Sequence, residues 1–285
     1  MVSLKYPVLV ETIEPKTLYV VATPIGNLGD ISLRALYILD NVDLILCEDT
    51  RRTLALCKYY EIDKPLLSFH SHSSDNKYSQ IKELLETKTL ALVSDAGTPC
   101  ISDPGAKLVL DLIEAGFNIR PIPGPSALIT ALSASGLDTR EFTFRGFLGK
   151  KGLKAKVKTI MDLEELQVVY ESPNRLLELL HIIKEVDSQR QVVVTRELTK
   201  LYEEFFRGSA NECFNYFSSK EVKGEITLII SGKENNADYL EEEIATLLED
   251  ALKNGESLSS ACKRLSKEMD IPKNTLYEVG LKLKK

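Results

Sequence analysis

The 285-residue sequence has few of the residues that build metal sites or disulfide frameworks. Its five cysteines are scattered, odd in number and never spaced as CxxC, and it has only three histidines. A disulfide framework, a zinc site and a histidine-rich metal cage are therefore not expected, and the cysteines fit a reducing cytoplasm. No apolar run approaches the roughly 18 residues of a membrane helix. The first residues do not have the pattern of a secretory signal, so we expect a cytoplasmic protein without a membrane span or a metal.

The sequence does contain enough apolar material for folded cores. Hydrophobic residues make up 44% and charged residues 27% of the chain, which is typical of globular rather than disordered proteins. The formal net charge of −6 argues against a protein coated in basic charge, although a local basic patch is compatible with that total. At roughly 100–200 residues per domain, the length indicates two domains with room for a small third.

The first part of the chain alternates short apolar runs with helical patterns. The predicted helices are about Asp30–Leu39, Thr50–Tyr60 and Asn76–Leu85, and Asp103 followed by Pro104 is typical of the start of another. Apolar strands that are each followed by a helix indicate a parallel sheet covered on both faces. The predicted strands are Thr17–Thr23, Val42–Cys47, Leu66–Ser68, Thr89–Ser94 and Asn118–Ile122.

The proline-rich segment 121–126 (PIPGPS) interrupts this alternation and indicates a domain hinge. After a helix at Ala127–Ser135, the chain again has strand and helix patterns, and the short link Arg196–Glu204 predicts an antiparallel pair in a mixed sheet. The predicted strands are near Phe142–Phe147, Gln167–Glu171, Gln191–Thr195, Phe205–Gly208 and Glu225–Ser231.

The C-terminal part has a polar linker followed by three helical patterns. The helices are predicted at Tyr239–Leu252, Leu258–Glu268 and Lys273–Leu283, and the tight turn Met269–Pro272 separates the last two. This is the outline of a helix-turn-helix, although a small three-helix cap without a ligand fits equally well. We therefore predict three domains, at residues 1–123, 124–233 and 239–285.

Two loops that follow predicted strands have the composition of ligand-binding turns. The first, Thr23–Asp30, has glycines that allow close approach to the backbone, but it matches neither the GxGxxG nor the Walker pattern and fits a plain turn equally well. The second, Val93–Gly105, carries two carboxylates, two glycines and two prolines at the carboxyl end of a strand. We interpret Asp95–Thr98 as a ligand-binding turn and Asp103 as the cap of the next helix.

Six segments occur in a fixed order along the chain: TPIGNLGDIS, CEDTRRT, SDAGTPCISDPG, PIPGPSALITALSASGL, YESPNRL and RELTKLYEE. Together they resemble the ribosomal RNA small-subunit methyltransferase I family, which consists of 2′-O-ribose methyltransferases within the tetrapyrrole-methylase superfamily. The resemblance runs from about residue 17 to residue 232 and continues into the C-terminal helices.

The resemblance implies an α/β fold with two domains of the tetrapyrrole-methylase (class III methyltransferase) type. It also implies S-adenosylmethionine (SAM) in the cleft between them, a small helix-turn-helix-like domain and a homodimer. The implied reaction is methyl transfer to the ribose 2′-hydroxyl of a decoding-centre cytidine in 16S ribosomal RNA (rRNA). SAM carries an activated methyl group, so this chemistry requires no metal.

The cofactor-binding residues are implied by their positions in the matching segments. They are Pro24, Asp95, Ala96, Gly97, Ser126, Ala127, Tyr170, Glu171, Gly224 and Glu225. One departure from the family pattern is Gly149, which stands where the family usually has proline.

A ribose hydroxyl is a poor nucleophile, so a nearby base, or a cation that stabilises the alkoxide, would assist the transfer. Two of the matching segments contain such side chains, and the sequence does not single out one base among them. An interdomain network of salt bridges explains the same residues equally well. The catalytic candidates are Glu48, Asp49, Arg51, Arg196, Glu197 and Lys200.

The segment from Arg145 to Lys158 has six basic residues, no acidic residue and three glycines in its first half. A flexible basic segment beside the cleft would hold RNA phosphates, and the alternative is a solvated surface loop with a lysine-rich helix. Two arginines of the CEDTRRT segment can also make bidentate phosphate contacts. The RNA-binding candidates are Arg51, Arg52, Lys150, Lys151, Lys154 and Lys156.

Two other functions remain open. A methylase of the same fold could act on a tetrapyrrole or a diphthamide intermediate, but neither substrate requires the basic segment or the helical domain. A DNA-binding regulator whose α/β body senses a nucleotide would bind duplex DNA through Lys273–Leu283 and transfer no methyl group. The expected partners are the rRNA or the small ribosomal subunit and a second copy of the chain, with no membrane.

Overall fold

The computed structural model describes residues 12–70, 73–233, 236–269, 271 and 273–283. The chain forms two compact units that divide between Gly232 and Lys233. No helix in this described part has the length and apolar character needed to cross a membrane. Most of the N-terminal stretch judged for a secretory signal, and part of the predicted turn Met269–Pro272, lie outside the described residues.

The first unit begins with a sheet of five parallel strands, which confirms the predicted parallel sheet. Along the sheet their order is β3-β2-β4-β1-β5. Pro121 is tolerated in β5 because that strand lies at an edge, where a missing backbone donor breaks no central ladder. The strands are β1 (Thr17–Val21), β2 (Leu44–Cys47), β3 (Leu66–Ser68), β4 (Leu90–Leu92) and β5 (Asn118–Ile122).

Helices cover both faces of this sheet, because the side chains of each strand alternate between two cores. Tyr19 packs in the core formed with α1 (Leu33–Asn41) and α2 (Thr50–Tyr59). Leu18 packs in the core formed with α3 (Asp75–Leu85) and α4 (Ala106–Glu114). The structure corrects the predicted start of α1. A 3₁₀ turn occupies Leu28–Asp30, and the hydroxyl of Ser32 caps α1 by accepting a hydrogen bond from Ala35 N at 3.0 Å.

The second sheet is mixed, as predicted. Strands β6 and β7 are parallel, and the remaining neighbours, including the β8–β9 pair, are antiparallel. The order along the sheet is β6-β7-β10-β8-β9. The strands are β6 (Phe142–Phe147), β7 (Leu166–Glu171), β8 (Gln191–Arg196), β9 (Glu204–Ser209) and β10 (Ile226–Ile230).

The second sheet is also covered on both faces. One face packs against α6 (Leu153–Met161), α7 (Pro173–Val186) and α8 (Ala210–Ser218). The other face packs against α5 (Ala127–Ser133) and against Ile25, which comes from the loop after β1. A loop of the first sheet therefore contributes to the core of the second.

The second compact unit contains three helices, in the part that is described. These are α9 (Asn236–Lys253), α10 (Leu258–Glu268) and α11 (Lys273–Lys282). They share a separate apolar core, with Leu248 and Leu276 fully buried. Helices α10 and α11 approach closely, since a Cβ atom on Gly280 would lie 2.3 Å from a Leu258 methyl carbon.

Candidate active site

A cavity of about 380 Å³ lies between the two sheets of the first unit. It is bounded by loops at the carboxyl ends of the parallel strands of the first sheet and by one end of the second sheet. Open parallel sheets bind ligands at this edge. The lining residues are Ile25, Arg52, Asp95, Ala96, Gly97, Thr98, Ile101, Ser102, Asp103, Ser126, Ala127, Phe147, Tyr170, Glu171, Ser172, Pro173, Leu198, Gly224, Glu225, Ile226 and Thr227.

The cavity brings together most of the residues that the sequence resemblance assigned to cofactor binding. Those that line it are Asp95, Ala96, Gly97, Ser126, Ala127, Tyr170, Glu171, Gly224 and Glu225. Of that set, only Pro24 is not a lining residue. Among the catalytic and RNA-binding candidates, Arg52 lines the cavity. The candidates that do not are Glu48, Asp49, Arg51, Arg196, Glu197, Lys200, Lys150, Lys151, Lys154 and Lys156.

The turn after β4 is held against the loop after β1. Thr23 and Gly97 exchange two backbone hydrogen bonds, of 2.9 and 3.0 Å. Gly97 has a φ of +82°, a conformation that glycine adopts without the steric cost of a side chain. Thr98 donates its hydroxyl hydrogen bond to Pro125 O at 3.2 Å. The loops after β1, β4 and β5 therefore form one fixed wall.

Carboxylates cluster on this wall. Asp95 accepts a hydrogen bond from the backbone N of Asp49 at 3.0 Å, and Arg52 Nη1 lies 3.5 Å from its other oxygen. Burial, followed by the charges of Glu48 and Asp95, raises the pKa of Asp103 to about 6. Burial and the charge of Asp95 also raise the pKa of Glu48. The cavity thus contains a carboxyl group that titrates close to neutral pH.

The structure corrects the interpretation of Asp103 as a helix cap. Helix α4 begins at Ala106, its N-cap is Gly105 with a φ of +130°, and no side chain caps it. Cys100 and Ser102 both have positive φ, at 69° and 63°. These conformations are costly for residues other than glycine and occur preferentially at functional sites. They turn the segment so that Asp103 lines the cavity instead of the helix end.

The second sheet supplies the opposite wall. The hydroxyl oxygen of Tyr170 accepts a hydrogen bond from Leu128 N at 3.1 Å, and burial raises the pKa of this tyrosine. The side chain of Glu171 is 1% exposed, and its Oε1 accepts a hydrogen bond from Ser172 N at 2.8 Å. Its Oε2 is buried and makes no hydrogen bond to any described residue.

Of the catalytic candidates at and after the end of β8, Lys200 contacts a residue that lines the cavity. Lys200 Nζ lies 2.8 Å from Glu197 Oε1 and 3.0 Å from Glu225 Oε2, and Glu225 lines the cavity. Thr199 Oγ1 accepts a hydrogen bond from Asn27 N at 3.0 Å, which joins this loop to the first sheet. Arg196 pairs instead with Glu204 at 2.9 Å. Glu197, Lys200 and Glu225 therefore form a brace within the second wall, and the Thr199–Asn27 hydrogen bond ties it to the first wall.

The side chains of Arg51 and Asp49 pair with each other outside the cavity. Their hydrogen bonds, at 2.7 and 3.0 Å, lower the pKa of Asp49 to about 2. Asp49 also accepts a hydrogen bond from the backbone N of Arg51 at 2.8 Å, so it caps α2. The side chain of Arg51 is nevertheless 89% exposed and accessible to a large partner.

The basic segment divides into engaged and exposed lysines. Lys154 pairs with Glu185 at 2.7 Å, and Lys156 donates a hydrogen bond to Leu148 O at 2.7 Å. Lys150 and Lys151 are exposed, and neither forms an ion pair with another residue in the described part of the chain. Gly149, where the family usually has proline, has a φ of +68° that proline cannot adopt.

Sequence reasoning missed several lining residues, among them Asp103 and Phe147. Most of the others adjoin a predicted residue, so their motif could have pointed to them. Asp103 was missed because Asp-Pro is also typical of a helix start, and Phe147 because nothing in the sequence distinguishes it from other strand aromatics. In the described part of the chain, no three His, Cys, Asp or Glu side chains are grouped as a metal site.

Solved structures of similar fold are methyltransferases. A cobalt precorrin-4 methyltransferase superimposes with a TM-score of 0.58 at 14% identity, over 78% of this chain and 98% of its own. Uroporphyrin-III C-methyltransferase from Thermus thermophilus, in complex with S-adenosylhomocysteine, gives a TM-score of 0.54 at 16% identity, over 75% of this chain and 97% of its own. At such identities the similarity shows the fold alone.

Sequence comparison is more specific. The family model for tetrapyrrole (corrin/porphyrin) methylases matches residues 17–213. The chain is 41% identical to ribosomal RNA small subunit methyltransferase I of Bacillus subtilis, over 92% of both chains. It is 48% identical to the protein of the same name from Thermotoga maritima, over 76% of this chain and 99% of that one. The chain therefore belongs to the tetrapyrrole methylase family and, within it, to the ribosomal RNA small subunit methyltransferase I group.

Proposed function

We propose that this chain uses SAM to methylate the ribose 2′-oxygen of a decoding-centre cytidine in the 16S rRNA of the small ribosomal subunit. The observation that carries the proposal is the convergence of separate segments, from both sheets, on one cavity. The names of the Bacillus subtilis and Thermotoga maritima relatives support rRNA of the small subunit as the substrate class.

The chemistry of the cavity fits SAM as the methyl donor. Its lining combines the glycine backbone at Gly97, the apolar side chain of Ile25 and the carboxylates of Asp95 and Glu171. The unpaired Oε2 of Glu171 is an acceptor for a hydrogen-bond donor of the cofactor, since buried polar atoms in proteins rarely stay without a partner. When bound, SAM supplies a methyl group activated by the positive charge on its sulfur, which suits an acidic lining.

The residues of the chain orient the acceptor hydroxyl and receive its proton. Transfer of the methyl group to the ribose 2′-oxygen would break the methyl carbon–sulfur bond of the donor, leave S-adenosylhomocysteine and release the hydroxyl proton. We assign its acceptor as the carboxylate of Asp103, which lines the cavity and whose pKa of about 6 leaves it ionised at pH 7 and more basic than an ordinary aspartate. The apolar part of the lining limits competition from water.

Exposed cations hold the RNA backbone. Arg51, Arg52, Lys150 and Lys151 are exposed cations suited to phosphate contacts. We further infer, from the family resemblance, a homodimer in the cytoplasm. Sedimentation velocity of the purified chain tests the dimer, and a monomer at micromolar concentration would contradict it.

Mass spectrometry of 16S rRNA from a strain that lacks the gene tests the proposed reaction. We expect the loss of one 2′-O-methylated cytidine in the decoding centre, and its return when the gene is restored. Transfer of labelled methyl from SAM to small subunits of that strain provides the matching assay with purified protein. Unchanged rRNA, or specific binding to duplex DNA without methyl transfer, would contradict the proposal.

A further inference from the structure

The ring of Phe147 is an aromatic surface on the cavity that the proposed reaction does not yet use. Phe147 lines the cavity, although it is 59% exposed. An aromatic side chain that lines a cavity and is open to solvent is suited to stacking on a planar ligand. The described part of the chain places no other aromatic residue on this cavity except Tyr170.

A β-bulge aims Phe147 at the cavity. Phe144 pairs with Val168, but the next pair is Phe147 with Tyr170, so β6 uses three residues where β7 uses two. In a regular ladder residue 146 would lie opposite Tyr170, and the extra residue brings Phe147 to that position instead. Gly146 accommodates the bulge with a φ of +58°. Bulges of this kind commonly redirect a side chain beside an active site.

The Tyr170 ring packs against the Phe147 ring in an edge-type contact. The centroids of the Phe147 and Tyr170 rings are 5.8 Å apart, with 61° between their planes. Tyr170 is itself held in place by two contacts. Its ring centroid lies 4.8 Å from that of Phe144, and its hydroxyl oxygen accepts the hydrogen bond from Leu128 N. Phe147 is therefore a supported ring with much of its surface open to the solvent.

The charges that follow this ring in the sequence point to a nucleotide. Lys150 and Lys151 follow Phe147 within four residues, and both are exposed. A stacking ring beside free cations is the combination that binds single-stranded nucleic acid, the ring through a base and the cations through phosphate. The adenine of SAM could also stack on the ring, but SAM has no phosphate for the lysines. A nucleotide of an RNA chain satisfies both features.

We propose that Phe147, Lys150 and Lys151 form a nucleotide subsite, in which the base of the target nucleotide leaves its stack in the RNA and lies against the Phe147 ring. Enzymes that modify a base inside a structured nucleic acid commonly extrude the nucleotide in this way, and the same extrusion here would carry the attached ribose to the cavity. The inference rests on the proposed function, because it takes RNA as the substrate. It makes Phe147 a substrate-binding residue that takes no part in holding the cofactor.

Kinetics of Phe147→Leu test the subsite. With small subunits from the deletion strain as substrate, we expect KM to rise by about 5-fold to 150-fold, the range produced by losing one base–aromatic stack. The affinity for S-adenosylhomocysteine, measured by calorimetry, should not change. Phe142→Leu is the matched control, because Phe142 lies on the same strand and is 39% exposed but does not line the cavity. An unchanged KM for Phe147→Leu, or an equal loss in both variants, would overturn the subsite.

Fluorescence distinguishes an RNA base on the Phe147 ring from the adenine of the cofactor. The chain has no tryptophan, so Phe147→Trp carries a single reporter and keeps an aromatic surface. We expect a cytidine oligoribonucleotide to quench this tryptophan in the presence of S-adenosylhomocysteine, and not to quench Phe142→Trp. Quenching by S-adenosylhomocysteine alone would assign the ring to the cofactor, and no quenching by the oligonucleotide would remove the subsite. If the wild-type chain transfers no methyl to subunits while Phe147→Trp is still quenched, the proposed function fails and the subsite stands.

Discussion

The carboxyl groups of Asp95 and Asp103 face the same cavity in different environments. Asp95 accepts a backbone hydrogen bond from Asp49 N at 3.0 Å, and Arg52 Nη1 lies 3.5 Å from its other oxygen. Burial and the charges of Glu48 and Asp95 raise the pKa of Asp103 to about 6. Two carboxyl groups with such different surroundings suit two different roles, one in binding a cation and one in moving a proton.

We expect Asp95→Ala to weaken the binding of S-adenosylhomocysteine by about 10-fold to 100-fold, the usual loss for a charged hydrogen bond. The substitution also removes the acceptor for Asp49 N, so Asp95→Asn, which keeps an acceptor oxygen, should lose less. Calorimetry on the two variants measures both effects. Unchanged affinity in Asp95→Ala would exclude this residue from the cofactor site.

For Asp103→Asn we expect kcat to fall by about 100-fold or more, the contribution typical of a general base. In the wild type, kcat/KM should rise with pH through about 6 as Asp103 of the free enzyme ionises, and the variant should lack that rise. The pH profile of kcat/KM with small subunits as substrate checks this. A variant that keeps the wild-type profile would show that another group accepts the proton.

Thermal melting provides the control for folding of Asp103→Asn. The folded-state pKa lies above the usual 3.8, so ionisation destabilises the folded wild type as pH rises from about 4 to about 6. The neutral variant should therefore melt at a higher temperature than the wild type at pH 7, and the difference should shrink at pH 4. A lower melting temperature at pH 7 would mean that Asp103 contributes to stability.

Single residues were the hardest features to predict from the sequence. The resemblance predicted Asp95 and Glu171, which line the cavity, because their motifs are distinctive. Cys100 and Ser102 have positive φ, which brings Asp103 to the cavity. The local sequence does not predict this conformation, because cysteine and serine seldom adopt it. The brace made by Glu197 and Lys200 requires contacts between segments far apart in sequence, which spacing alone does not reveal.

At the scale of elements, our proposal assigns the bulge in β6 and the basic segment after it to the substrate side of the site. We expect Gly146→Ala to reduce the free energy of unfolding by more than the cost of a left-handed alanine, about 1–2 kcal/mol. The added Cβ would lie 2.9 Å from Ser102 Oγ. Gly152→Ala is the matched control, since Gly152 has a φ of +69° and no atom within 4 Å of its added Cβ. Urea unfolding measures both variants. An equal loss in the free energy of unfolding for Gly146→Ala and Gly152→Ala would contradict the crowding at Gly146.

We expect the double substitution Lys150→Gln, Lys151→Gln to flatten the salt dependence of RNA binding. Each phosphate contact on a single strand contributes about 0.7 to the slope of log K against log salt, so two lost contacts reduce it by about 1.4. Lys88→Gln is the control, because Lys88 is exposed but lies just before β4, at the strand end away from the cavity. The slope is obtained from the binding of rRNA fragments at several salt concentrations. An unchanged slope of log K against log salt would mean that these lysines make no phosphate contact.

Most elements could be predicted because their signals are local. Apolar runs bounded by turn residues predicted the strands at Leu66–Ser68, Asn118–Ile122 and Phe142–Phe147 with the observed bounds. Helix starts were less predictable, as the predicted starts at Asp30 and Asp103 show. The β6 bulge could not be predicted, because it depends on the register of a neighbouring strand.

At the scale of the whole molecule, the residues of the cavity all belong to the first unit. They lie between Ile25 and Thr227, whereas the helical unit begins at Lys233 and has its own core. The Thermotoga maritima relative is matched over 99% of its length by 219 residues, fewer than the first unit contains. A chain of about that size is therefore sufficient for a member of this group.

We expect a chain that ends after Gly232 to fold and to bind S-adenosylhomocysteine with the affinity of the full chain. Circular dichroism and calorimetry measure the two properties. A truncated chain that folds but no longer binds would show that the helical unit contributes to the cofactor site.

A crystal structure of the full chain with S-adenosylhomocysteine tests whether the cavity between the two sheets is the cofactor site. The ligand should lie in the cavity of about 380 Å³, with Asp95 and Gly97 on one side and Tyr170 and Glu171 on the other. Density for the ligand elsewhere on the chain, with the cavity free of it, would contradict the assignment.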